Sequence, residues 1–288
     1  MRSYLFFILT TILLQSELLL CAEINTFPAF SELPADYRAK TYTPENPLIL
    51  HFSFGPEPIN QIELRVVNNP RMKSDLFFFH MHNNEVTALK AGEKLVAKNG
   101  GTLIYLKHPH GQRDMKVRIN NTNYTFDPNR IFTSKALAEK TQPIPNVDDL
   151  KELEKFVSWI KRTILKARAN RLRPAVIALH NNTDDNIHGE RLSILTEKKL
   201  LNSDNRMVHQ NPNWDIDNFY TATWKSTFDF LMAIIQPNIS LRLEKPRNIG
   251  YLSNWMIVEN IEYILVETEH QDEENNLKMI EVLQAHLK

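Results

Sequence analysis

His82-Asn83-Asn84-Glu85 sets an imidazole and a carboxylate three residues apart, just after an apolar and aromatic run, and His180 closes another apolar run far downstream. A neutral imidazole nitrogen and a carboxylate oxygen both suit Zn²⁺, and three such protein ligands leave the fourth tetrahedral position to water. That is the ligand count of a metal site that does chemistry, not of one that only braces a fold. An H-x-x-E pair arises often by chance, so its weight comes from its company. Between the two histidines stands Asp127-Pro128-Asn129-Arg130-Ile131-Phe132. An arginine presents a planar fork that grips a carboxylate through two parallel hydrogen bonds, and a neighbouring asparagine can add a third.

These residues need a scaffold that makes them converge. Leu48 to Phe54, Ile62 to Val67 and Thr102 to Lys107 read as strands, and Asp75 to Met81 is the near-continuous apolar run of a strand buried on both faces. Helical spacing runs from Glu85 to Lys98, with Val86, Leu89, Leu95 and Val96 as the inward residues, and from Asp148 to Ala169 ahead of Pro174. Val117 to Ile119 and Tyr124 to Phe126 flank a polar turn and predict a hairpin. Ala175 to Leu179 and Tyr263 to Val266 read as further strands, and Asn275 to Leu287 as a terminal helix. Strands alternating with helices predict an α/β fold, a single domain with a mixed central sheet flanked by helices. On this reading His82, His180 and Glu267 each follow a strand. Ligands of open α/β sheets bind outside the carboxyl ends of the strands, so these three residues can meet there.

The 288 residues carry 34 Lys+Arg against 34 Asp+Glu, which gives no electrostatic reason to expect nucleic acid or an anionic membrane surface as partner. Arg2 followed by the mostly apolar Tyr4 to Leu20 predicts a signal peptide over 1–22, then an extended lead-in over 23–47 and the catalytic domain over 48–288. Export to the periplasm or medium follows, with no membrane span after signal removal. Cys21 is the only cysteine, so the mature chain forms no disulfide; Leu20 before it is larger than a lipoprotein box accepts, which disfavours anchoring there.

Taken together, the sequence resembles the zinc carboxypeptidase superfamily. Three local matches lie nearest its succinylglutamate desuccinylase and aspartoacylase branch: His82 to Glu85 is similar to H-G-N-E, Asp127 to Phe132 to D-L-N-R-x-F, and Leu179 to Thr183 to L-H-N-T-T. Asn83 stands where that branch has glycine, and Pro128 where it has leucine. The resemblance implies one zinc ion held by His82, Glu85 and His180, a carboxylate clamp at Asn129 and Arg130, and a catalytic glutamate on a late strand, best matched by Glu267. Glu269 shares that strand face and could approach the metal instead. The resemblance also implies an arginine that stabilises the developing oxyanion, and Arg113, in the irregular segment from His108, fits better than Arg118. The substrate expected is a peptide, a peptidoglycan-derived fragment or an N-acyl amino acid with a free carboxylate. A non-catalytic binding module is the contrasting expectation.

Other features have plainer readings. His80 is expected to be a core residue or to orient a ligand; His108 and His110 to lie on a solvated loop; the aromatic stripe from Trp214 to Phe230 to be core; and Tyr251 to sit over the site. The N-x-S/T matches at Asn120, Asn123, Asn181 and Asn238 are expected to be incidental.

Overall fold

The computed structural model describes residues 33–71, 74–169, 171, 175–182, 194, 206–242 and 250–287. The stretch read as an export signal, Cys21 included, lies outside the described residues. Among the described residues nine strands form one mixed sheet in the order β1-β2-β4-β3-β7-β11-β9-β10-β8, and a separate hairpin pairs β5 with β6. The sheet strands are β1 (Leu48–Ser53), β2 (Gln61–Asn69), β3 (Ser74–His80), β4 (Gly100–Lys107), β7 (Val176–Asn182), β8 (Arg206–His209), β9 (Phe219–Ala222), β10 (Ile239–Arg242) and β11 (Tyr263–Glu269). At its centre β4, β3, β7 and β11 run parallel, while β2 and β9 pair antiparallel on either side. Phe77, Phe78 and Phe79 of β3 have no exposed surface, as a strand covered on both faces requires.

Two central strands outrun their apolar segments. β7 continues through His180 to Asn182 and β11 through Glu267 to Glu269, with His180 opposite Glu267 and Asn182 opposite Glu269. His180 and Glu267 therefore sit inside the ladder instead of following it. The polar side chains conceal the extension because they find partners within the protein.

Helix α1 (Val86–Asn99) follows β3 and buries Ala88, Ala91, Gly92, Leu95 and Val96, one stripe at helical spacing. The stripe differs from the expected one: Val86 is 42% exposed and Leu89 only partly buried. Small residues bring the helix against the sheet; a Cβ added at Gly92 would lie 2.7 Å from Leu179 Cδ1. Helix α6 (Glu273–His286) packs beside α1.

The hairpin of β5 (Met115–Ile119) and β6 (Thr122–Phe126) turns through Asn120 and Asn121, at φ 46° and 65°. Those values suit a two-residue hairpin turn, where asparagine tolerates positive φ. Asp149 anchors it, accepting from Asn120 Nδ2 at 2.7 Å and Tyr124 Oη at 2.6 Å. Asp149 lies in the first turn of α3 (Val147–Arg168), which Asn146 caps. The hairpin thus delivers Asp127 and the segment after it from a fixed base. The described residues also form helices α2 (Ser134–Lys140), α4 (Lys225–Ile234) and α5 (Leu252–Val258). In the stretch 33–47, Tyr37 Oη donates to the Ala167 carbonyl at 2.7 Å and Tyr42 bridges to Asn68. Among the described residues no helix is long and apolar enough to cross a membrane.

Candidate metal centre and carboxylate clamp

Glu85 stands directly before α1, His82 in the short link from β3, and His180 in β7. All three are at least 95% buried, and one ligand atom from each lies within 4.8 Å of the others. Glu85 Oε1 is 2.8 Å from His82 Nδ1, and Glu85 Oε2 is 2.9 Å from His180 Nδ1. The latter contact lacks hydrogen-bond alignment, since Glu85 Oε2 completes no hydrogen bond despite its burial. Bond lengths of ~2.0–2.2 Å to zinc imply ligand separations of roughly 3.3 Å in a tetrahedron, so the two Glu85–histidine contacts need open by only about half an ångström. The donor set and its spacing fit a divalent metal such as zinc.

The second nitrogen of His82 is already committed. Its Nε2 lies 3.0 Å from Asp127 Oδ1, an arrangement in which a carboxylate fixes the tautomer and leaves Nδ1 for a metal. Burial alone would lower the His82 pKa, but Glu85 and Asp127 outweigh it and push it up to about 9. Burial would raise Glu85, yet the two imidazoles hold its carboxyl well below the usual range. Asp127 is likewise depressed against its burial, by His82 first and then Arg113. His80 is the opposite case: burial pushes it down to about 4, and its neutral ring donates through Nε2 to the Glu85 carbonyl at 2.9 Å.

Asp127 is the hub that sequence reasoning missed, having passed over the first letter of its own D-x-N-R match. Besides His82 it accepts from the Asn129 backbone N–H at 2.8 Å, and its Oδ2 lies 3.5 Å from both Arg113 Nε and Arg130 Nε. Arg130, its side chain 41% exposed, rests on the Tyr251 ring with Cζ 5.5 Å from the centroid. Asn129 Oδ1 accepts from Leu252 N at 3.3 Å, leaving the amide's NH₂ end, the end a carboxylate needs.

Arg113 Nη1 donates to Glu85 Oε1 at 2.8 Å, so this arginine touches a candidate metal ligand as well as Asp127. Burial would lower its pKa, but Glu85, Asp127 and Glu267 hold it above its ordinary value. Arg118 goes elsewhere, 3.5 Å from Glu57. Glu267 is 3% exposed beside His180, whereas Glu269 is half-buried further along and donates its N–H to Asn218.

His108 departs from the solvated loop expected of it. It is 3% exposed, its carbonyl accepts from Asn83 Nδ2 at 2.9 Å, and burial, aided by His110, pushes its ring down to about 4. Asn83 thus ties the segment bearing His82 and Glu85 to the segment bearing Arg113. Of the aromatic stripe, Phe219, Tyr220 and Phe228 are core but Trp224 is 42% exposed. Asn181 and Asn238 are buried, which bars a glycan on the folded chain.

No family model matches the sequence, and no curated protein does. Solved structures similar to it include the ectoine utilization protein EutE (DoeB) of Ruegeria pomeroyi, at 12% identity and TM-score 0.45, covering 90% of this chain and 70% of that one. Two succinylglutamate desuccinylases also match: that of Vibrio parahaemolyticus at 10% identity and TM-score 0.41, covering 84% and 76%, and that of Chromobacterium violaceum at 12% and 0.41, covering 78% and 66%. Likeness at this level carries no functional weight; the site geometry does.

Proposed function

We propose that this chain is an exported zinc-dependent amide hydrolase, which cleaves the amide bond next to a residue bearing a free carboxylate. The observation that carries the reading is Asp127, which joins His82 of the metal cluster to Arg130 of the clamp through a single carboxylate. A carboxylate held by Arg130 and the Asn129 amide is thereby kept within one residue's reach of the metal ligands. Zinc at His82, Glu85 and His180 would supply a Lewis acid and lower the pKa of its bound water. Glu267 takes the proton of the attacking water and returns it to the leaving amine. Arg113, with its side chain 39% exposed, is close enough to stabilise the oxyanion.

The substrate we favour is the C-terminal residue of a peptide or peptidoglycan-derived fragment, in keeping with the export signal read at 1–22. N-acyl amino acids are the second reading, favoured by the D-P-N-R-I-F and L-H-N-N-T segments. Incubating the zinc-loaded mature chain with peptides, muropeptides and N-acyl amino acids, each as free acid and as carboxamide, tests the proposal. Hydrolysis restricted to free acids is expected. Zinc uptake without hydrolysis of any member would leave a binding module as the better account.

A further inference from the structure

Glu85 occupies the N-cap position of α1, where a side chain ordinarily accepts the backbone N–H of the second or third helical residue. Glu85 makes no such bond, because its carboxylate is spent on His82 and His180. The missing cap comes from another element. Asn181, the residue after His180, places Oδ1 2.7 Å from the N–H of Ala88, the third residue of α1. Its Nδ2 donates to Thr268 Oγ1 at 3.1 Å, and Thr268 is the residue after Glu267. Asn276 of α6 meets the same hydroxyl from the other side. Asn181 is 5% exposed, and Thr268 and Asn276 not at all.

Side chains alternate along a strand, so Asn181 and Thr268 project from the sheet face opposite His180 and Glu267. That face carries α1: Leu179, two residues before Asn181, is the residue Gly92 packs on. The bonds therefore tie together from behind the three elements that bear Glu85, His180 and Glu267. The Asn181 amide is paired at both ends and the Thr268 hydroxyl accepts from two amides, and buried polar groups paired in this way are costly to disturb.

We propose that Asn181 and Thr268 are positioning residues, Asn181 supplying in trans the helix cap that frees Glu85 for the metal and Thr268 coupling that cap to the strand of Glu267. The inference rests on the zinc hydrolase reading above. It assigns separable effects to the two side chains. Asn181 governs where Glu85 sits, hence metal affinity; Thr268 governs where Glu267 sits relative to it, hence turnover.

Three variants of the mature chain, Asn181→Ala, Thr268→Val and Thr268→Ser, test it with zinc competition against a chelator, the visible spectrum of the cobalt(II)-loaded form, and kcat and KM on the best panel substrate. Asn181→Ala is expected to weaken zinc by ~10–100-fold, as loss of a residue orienting a ligand does, and to alter the cobalt spectrum. Thr268→Val is expected to keep wild-type zinc affinity and KM while kcat falls by roughly 10–100-fold through misplacement of Glu267, and Thr268→Ser is expected to restore kcat. Should Asn181→Ala not fold, the Thr268 pair decides: equal kcat in the valine and wild-type chains overturns the proposal. A folded Asn181→Ala with wild-type zinc affinity and cobalt spectrum overturns it too. A wild type that takes up no zinc sinks the metal reading and this inference together, whereas a zinc-binding wild type beside unchanged variants sinks this inference alone.

Discussion

Gly250→Ala is the substitution whose cost is most directly legible in the structure. Gly250 has φ +78°, and a Cβ there would lie 2.3 Å from Ala136 Cβ and 2.5 Å from the Arg130 carbonyl oxygen. Neither obstacle is the free end of a flexible side chain: one is fixed to α2, the other is backbone. A left-handed conformation costs a non-glycine residue ~1–2 kcal/mol, and overpacking costs ~1–3 kcal/mol. The sum is about 2–5 kcal/mol, within the ~5–15 kcal/mol by which domains are stable, so the variant is expected to fold at 25 °C. The strain also has a functional address. Gly250 O accepts from Phe132 N at 2.8 Å, and the next residue, Tyr251, carries the Arg130 guanidinium on its ring. Relief must therefore move the clamp segment, while His82, Glu85 and His180 lie on other elements. Urea denaturation of wild type and variant, with KM on a free acid and its carboxamide, reads both effects. The expected result is a shift of this size, retained zinc, and a raised KM for the free acid with little change for the amide. A loss below about 0.5 kcal/mol, the size of an ordinary surface change, with the acid's KM unaltered would refute the reasoning.

Three further outcomes follow from the site. Glu267→Gln should keep zinc and substrate binding but lose ~10²–10⁴ in kcat, the usual share of general acid–base chemistry; if Glu269→Gln shows that loss and Glu267→Gln does not, the two roles are exchanged. Arg130→Lys keeps the charge and loses the fork, so the wild-type preference for free acid over carboxamide, about 1.5–3 kcal/mol for a charged hydrogen bond, should largely disappear; equal wild-type rates on acid and amide would remove the clamp. In the zinc-free chain His82 is raised from 6.5 to about 9, so its contribution to stability is full below pH 6.5 and is lost as pH rises through about 9. Thermal unfolding of the zinc-free chain between pH 6.5 and 9.5 should show that decline, and a flat profile would contradict the His82 environment described.

The candidate metal ligands were legible because H-x-x-E is local and His180 stands at the end of an apolar run, and Glu267 was legible for the same reason as His180. Buried polar residues hid how far β7 and β11 extend: Asn181, Asn182 and Thr268 break the apolar runs, and their partners in the fold are not visible in the sequence. The same tertiary dependence concealed Asp127, whose bond to His82 joins residues far apart in sequence, and His108, which is buried and whose carbonyl accepts from Asn83. α1 was found with Leu95 and Val96 inward as expected, but Ala88, Ala91 and Gly92 replace Val86 and Leu89 on the buried face, since small residues carry little hydropathy and gain their place by allowing close approach. β8, β9 and β10 span four residues each, too short for alternation to register.

Metal content decides the central claim. The purified chain, dialysed against zinc and freed of loose metal, should carry about one zinc per chain, and His180→Ala, treated alike and shown to be folded, should carry almost none and hydrolyse nothing. A wild type without zinc, or a His180→Ala chain that keeps stoichiometric zinc and normal turnover, would contradict the assignment of His82, Glu85 and His180 as the metal centre.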